Sequence, residues 1–132
     1  MDEQQLIAIV DDDESVRRAV LGVLKSVGLK ARSFASAEEF LVSGKQSEAA
    51  CLIVDIRMPG MSGLDLQSKL AQDDCRIPVI FITSYGDTKM RMQAMSAGAF
   101  EFLRKPFDDE VLIETVRAAL ARIANAQTGK KQ

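Results

Sequence analysis

Four short stretches of this chain carry side chains suited to phosphoryl chemistry: the acidic run Asp11-Asp12-Asp13, the segment Val54-Asp55-Ile56-Arg57-Met58-Pro59-Gly60, the pair Thr83-Ser84 and the pair Lys105-Pro106. Moving a phosphoryl group onto a side chain calls for a nucleophilic carboxylate and further carboxylates to hold a divalent cation. It also calls for a hydroxyl and an ammonium to neutralise the phosphoryl oxygens. Asp55, Asp11 with Asp12, Thr83 and Lys105 are the residue types for those tasks, in that order. Each closely follows an apolar run, so if the runs are parallel strands the four groups meet at one edge of one sheet.

Taken singly, each residue has a duller explanation. Asp13 reads as a helix N-cap, Asp55 could cap its own loop, Thr83 could be an ordinary β-branched strand residue, and Lys105 could be half of a plain salt bridge. Asp11 and Asp12 are harder to explain that way, because adjacent carboxylates repel and raise each other's pKa unless a cation lies between them. Magnesium takes an octahedral shell of oxygens and keeps several waters, so two or three carboxylates and a loop carbonyl suffice. Asp55 can then be both ligand and nucleophile. Pro106 makes a cis Lys-Pro bond conceivable, since prolyl bonds carry only a small cis penalty.

The elements that must position these groups are written in the periodicity. Leu6-Ile7-Ala8-Ile9-Val10, Cys51-Leu52-Ile53-Val54 and Val79-Ile80-Phe81-Ile82 are continuous apolar runs of strand length, the pattern of strands covered on both faces. Ala31-Arg32-Ser33-Phe34 and Phe100-Glu101-Phe102-Leu103 are more mixed and fit strands nearer the edges, with Phe100 and Phe102 expected on a shared face. Val16, Ala19, Val20, Val23, Leu24 and Val27 trace a helical stripe from about Asp13 to Gly28. Ser36-Ala37-Glu38-Glu39 is a capping-box sequence, and Ser62 caps a third helix. Gly86-Asp87 starts a fourth helix that ends near Gly98, and Asp108 or Asp109 caps a fifth. A strand-helix alternation repeated five times, with right-handed crossovers, predicts an α/β three-layer sandwich: a doubly wound, five-stranded parallel sheet of (βα)5, flavodoxin-like type. The expected domain covers 1–124, with 125–132 a polar tail or linker.

The 132 residues match one domain, and the composition, 47% hydrophobic and 27% charged, is that of a soluble globular protein with no run long enough for a membrane span. A net charge of −2 argues against direct nucleic-acid binding by this chain. Cys51 and Cys75, with no histidine anywhere, supply neither a zinc site nor a disulfide framework. The absence of histidine also means that any phosphoryl donor is another molecule. The acidic, polar opening Met1-Asp2-Glu3-Gln4-Gln5 is unlike a secretory signal, and the cytoplasm is the expected location.

Val10-Asp11-Asp12-Asp13, the segment Asp55-Ile56-Arg57-Met58-Pro59-Gly60-Met61-Ser62-Gly63 and Lys105-Pro106-Phe107 together resemble the receiver domain of two-component response regulators, the CheY-like family, closest to its FixJ-type branch. The resemblance covers roughly residues 5 to 124. It implies that Asp55 is the phosphoacceptor for a sensor histidine kinase. It further implies that Mg²⁺ is held by Asp12, Asp55 and the backbone carbonyl of Arg57, with Asp11 acting through water. Thr83 would be the hydroxyl that turns toward the phosphoryl group, Lys105 its cationic partner, and Phe102 an aromatic switch. Arg57 and Tyr85 would flank the path of the hydrolytic water, and both are large, so slow self-dephosphorylation is expected. The resemblance also implies phosphorylation-dependent dimerisation through the face made by the fourth helix, fifth strand and fifth helix, where Met90, Met92 and Met95 lie. A DNA-binding output domain commonly follows such a receiver.

Two other classes share parts of this pattern. Asp11-x-Asp13 after an apolar strand looks like the opening of haloacid-dehalogenase-type phosphohydrolases, but Glu14-Ser15 stands where Gly-Thr is expected, and no acidic pair follows Lys105 closely enough to ligate metal from its own strand end. A receiver-shaped module that signals without phosphate would be expected to have lost one of the site residues, and none is lost.

Overall fold

The apolar runs do become strands. A computed structural model describes residues 5–84 and 88–129, with side chains of the last helix as far as Arg122. Strands β1 (Leu6–Val10), β2 (Lys30–Phe34), β3 (Ala49–Asp55), β4 (Val79–Thr83) and β5 (Glu101–Arg104) form one parallel sheet in the order β2-β1-β3-β4-β5. Helices α1 (Glu14–Ser26), α2 (Ala37–Ser43), α3 (Gly63–Gln72), α4 (Thr88–Ser96) and α5 (Asp109–Gly129) alternate with them, and a short 3₁₀ turn, Lys45–Ser47, precedes β3.

The strands carry no polar-apolar alternation because both faces are covered. Ile7, Ile9, Cys51, Ile53, Ile80 and Ile82 point to one side and pack with Val20 and Leu24 of α1 and Leu112, Val116 and Ala119 of α5. Ala8, Val10, Leu52, Val54 and Phe81 point to the other and pack with Phe40 of α2, Leu66 and Leu70 of α3 and Ala94 of α4. This is the expected three-layer, doubly wound architecture.

Local chemistry sets the element ends. Asp13 is the N-cap of α1, its carboxylate accepting from the Ser15 N–H at 2.9 Å and the Ser15 hydroxyl at 2.7 Å. Ser36 caps α2 by accepting from the Glu39 N–H, while Glu39 reaches back one residue further than a capping box requires, to the Ala35 N–H. The full reciprocal box is at α3, between Ser62 and Asp65.

Two expectations need adjustment. Phe100 and Phe102 do not share a face: Phe100 packs on the α1/α5 side and Phe102 on the other. The strand starts only at Glu101, so strand alternation does not extend back to Phe100. Helix α5 runs on to Gly129, so the 124 boundary falls inside a helix. Ala124, Ala126 and Gln127 are good helix formers, and a helix already begun needs no apolar stripe to lengthen. The expected helix start at Gly86-Asp87 lies outside the described residues; α4 is described from Thr88.

Candidate functional site

Asp11 is the first residue past β1, Asp55 the last of β3, Thr83 the last of β4, and Lys105 the first past β5. β1 and β3 are neighbours at the point where the strand order reverses, so the two carboxylates lie side by side at the crevice of the sheet. β5 is three strand spacings of ~4.8 Å from β1, a gap too wide for a short side chain. The lysine stem closes it: Lys105 Nζ lies 3.1 Å from Asp11 Oδ2 and 3.1 Å from Asp55 Oδ2. The Lys105 backbone N–H donates to the Thr83 carbonyl at 2.7 Å, and the Lys105-Pro106 bond is cis.

These polar groups are inside the protein: Asp11 is 0%, Thr83 2% and Asp55 8% exposed, whereas Asp12 faces solvent. Each buried carboxylate has one oxygen on backbone and one on the ammonium. Asp11 Oδ1 accepts from the Asp13 N–H at 2.9 Å, and Asp55 Oδ1 from the Arg57 N–H at 3.0 Å. Burial pushes the Asp11 carboxyl above its ordinary range, outweighing the Asp13 N–H, and the Asp55 charge adds to the rise. Burial would lower the Lys105 ammonium, yet the hydrogen bond and charge of Asp11 and the charge of Asp55 raise it overall. A raised acid and a raised base in one ion pair are compatible because the cation is shared. The ammonium gains from two carboxylates, while each carboxylate has only a share of one ammonium and repels the other.

Carboxylate oxygens of Asp11, Asp12 and Asp55 lie within 4.8 Å of one another. Three carboxylates against one ammonium leave net negative charge, and the donors are all hard oxygens open to solvent on the Asp12 side, a set that suits magnesium. Close packing fixes the floor. A Cβ on Gly63, the first residue of α3, would stand 2.6 Å from the Asp55 carbonyl, so only glycine lets α3 begin against the end of β3.

The sequence pattern of the response regulator receiver domain matches residues 7–117. The chain belongs to that family. Among relatives, Nodulation protein W of Bradyrhizobium diazoefficiens is 45% identical over 117 residues, covering 89% of this chain and 52% of that protein. Transcriptional regulatory protein FixJ of Azorhizobium caulinodans is 39% identical over 132 residues, covering 100% of this chain and 62% of that protein. The crystal structure of FixJ-N superposes with a TM-score of 0.81 at 38% identity, covering 92% of this chain and 96% of that one. The receiver is thus of the FixJ-type branch, with the CheY-like fold, and serves phosphorelay signalling. It spans little more than half the length of those two relatives.

The receiver fold brings Asp11, Asp12, Asp55 and Lys105 together as the sequence implied, with Thr83 buried at the neighbouring strand end. Phe102 is half-buried, paired in register with Phe81 and packed on the α2-α3-α4 side. Met90 packs against the core, whereas Met92 and Met95 are exposed, Met92 by 64%. Arg57 is exposed; Tyr85 lies outside the described residues.

Two contacts escaped the sequence reading. Arg17 Nη1 donates to the Asp11 carbonyl at 2.8 Å, bracing the acidic turn from α1. Glu38 Oε2, on α2, accepts from the Met61 N–H at 2.9 Å, bracing the loop after Asp55. A basic residue one turn into α1 could have suggested the first. Nothing local suggests the second, because its partner is 23 residues away.

Proposed function

We propose that this receiver accepts a phosphoryl group from a phosphohistidine of a sensor histidine kinase onto Asp55 and changes conformation in response. The observation that carries the reading is the Lys105 ammonium held 3.1 Å from both Asp11 and Asp55, beside the oxygens of Asp12. A carboxylate oxygen of Asp55 attacks phosphorus in line; the O–P bond forms, the P–N bond breaks, and the electron pair leaves with the imidazole. Lys105 already touches Asp55 Oδ2, so its charge stands where the phosphoryl oxygens arrive. The Arg57 N–H holds Oδ1 and fixes the orientation of the carboxylate. Asp11, Asp12, Asp55 and the Arg57 carbonyl would hold Mg²⁺, whose charge, when bound, neutralises phosphoryl oxygens. The only chemistry ascribed to this chain is its own phosphorylation and dephosphorylation. Water later hydrolyses the acyl phosphate, and we read that step as slow because the residues two after Asp55 and two after Thr83 in the sequence, Arg57 and Tyr85, are both large.

The phosphoryl group adds close to two negative charges beside Thr83. Thr83 and Phe102 then act as switch residues, shifting the α4-β5-α5 face toward a homodimer. FixJ carries a transcriptional name and is longer than this chain. Transcriptional control through a C-terminal output domain, with α5 as the lead-out, is therefore our reading of the full-length protein. This chain itself contacts neither DNA nor membrane, and its setting is cytoplasmic; no helix among the described residues is long and apolar enough to cross a membrane.

The test is incubation with acetyl phosphate and Mg²⁺, read by intact mass and oligomeric state. Wild type gains one phosphate and Asp55→Asn gains none. A phosphate adduct surviving in Asp55→Asn would overturn the assignment. Repeated turnover of a generic phosphomonoester would favour the hydrolase class instead.

A further inference from the structure

The loop between β3 and α3 carries the Arg57 carbonyl and is tied at three places. At its start the Arg57 N–H donates to Asp55 Oδ1 at 3.0 Å. At its end the Gly63 N–H donates to the Ile56 carbonyl at 3.0 Å, where Ser62 and Asp65 close the cap of α3. Both ties lie within the β3-loop-α3 unit. The tip is held from outside it, by the 2.9 Å bond from the Met61 N–H to Glu38 Oε2.

A second observation puts the same oxygen against the loop. Gly60 has φ +75°, and a Cβ built on it would lie 2.8 Å from Glu38 Oε2. Backbone therefore comes right up to the carboxylate at two successive residues. Glu38 is a firm post for this purpose: its neighbour Ala37 and the nearby Phe40 are fully buried, and Ser36 caps the helix. Glu38 is outside the cluster of Asp11, Asp12 and Asp55, so it does not offer a metal-binding oxygen there.

We propose that Glu38 is a positioning residue for the acceptor site. Through the Met61 N–H it holds the β3-α3 loop in one conformation, and so sets how tightly the site takes up Mg²⁺. This inference rests on the reading of Asp55 as an Mg²⁺-assisted phosphoacceptor. A loop that has to be ordered when its carbonyl is recruited weakens binding by the entropy of that ordering, and a loop already pinned does not.

The experiment is calorimetric titration of Mg²⁺ into wild type, Glu38→Ala and Glu38→Gln, with amide exchange at Met61 followed in the metal-free proteins. Glu38→Ala removes the acceptor; Glu38→Gln keeps an acceptor oxygen and removes only the charge. We expect Glu38→Ala to bind Mg²⁺ about fivefold more weakly, the effect of losing one ordinary exposed hydrogen bond. Its Met61 amide exchanges faster, and Glu38→Gln stays near wild type in both readouts. Equal weakening in the two variants would assign the effect to lost negative charge and overturn the proposal, as would unchanged affinity in Glu38→Ala. Wild-type phosphorylation by acetyl phosphate is measured alongside. If it fails, the site reading falls; if it succeeds while Glu38→Ala binds Mg²⁺ normally, only the role of Glu38 falls.

Discussion

In the middle of the sheet, Ile7 and Ile9 of β1, Ile53 of β3 and Ile80 and Ile82 of β4 are fully buried in one apolar cluster beneath α1 and α5. A residue or two further along the same strands, Asp11, Asp55 and Thr83 are almost equally buried and polar. The burial is similar and the energetics are opposite. The isoleucines gain from leaving water, about 1.5–3 kcal/mol each. The carboxylates lose from it and stay only because backbone N–H groups and one shared ammonium receive them. The interior is a platform that resists change. The edge holds unbalanced charge, which a cation or a phosphoryl group alters directly, and that is the property a signalling site needs.

The largest effect should come from cutting the platform. Ile53→Ala removes a fully buried side chain of β3 and should cost about 2–5 kcal/mol in urea denaturation. At urea concentrations where it remains folded, its Mg²⁺ affinity should match wild type. A large loss of affinity in the folded variant would show that interior and edge are not separable.

At the edge, the same experiment should give two signs. Lys105→Met leaves Asp11 and Asp55 facing each other without a cation and should destabilise the metal-free protein by about 2 kcal/mol. This is less than for a fully enclosed pair, since the lysine side chain keeps 16% of its exposure. Mg²⁺ at a hundred times its Kd should return much of that loss, since a ligand at that excess contributes about 2.7 kcal/mol. Asp11→Asn should do the reverse. It removes the charge that burial and Asp55 disfavour, so the metal-free protein gains on the order of 1 kcal/mol, while Mg²⁺ binding weakens at least about tenfold. Denaturation with and without Mg²⁺ reads both, and two variants of the same sign would break the contrast between edge and interior.

What was legible in the sequence divides along the same line. The interior announces itself, because a strand covered on both faces must be an unbroken apolar run, as Leu6–Val10 and Val79–Thr83 nearly are. The polar residues ending those runs were legible for the same reason: a carboxylate closing an apolar strand asks for an explanation. Asp13 was readable as a cap because capping is a local rule. The misreadings are non-local or subtle. Phe100 and Phe102 separate because the strand begins one residue late, which no alternation rule can place. Glu38 looks like any exposed helix carboxylate until the fold carries Met61 to it. Helix α5 passes 124 because helix propensity continued where the apolar stripe had stopped.

The smallest effect tests whether edge and interior open together. Cys51, fully buried in β3, has its thiol pushed up to about 12 by burial, whereas Cys75, partly exposed after α3, is raised less deeply by the same cause. At pH 8 a thiol of pKa near 12 is ionised to roughly one part in ten thousand, and the strand lies under two helices, so alkylation of Cys51 requires the protein to open. Its labelling rate, read by peptide mass, therefore reports the population of the open form. Ile53→Ala should accelerate Cys51 labelling strongly and leave Cys75 nearly unchanged. If β3 opens with its carboxyl end, Asp11→Asn should slow Cys51 by about fivefold, the counterpart of ~1 kcal/mol. A Cys51 rate unmoved by Asp11→Asn would instead mean that the charged edge loosens by itself above a closed core, making the site a separately mobile layer of the sheet.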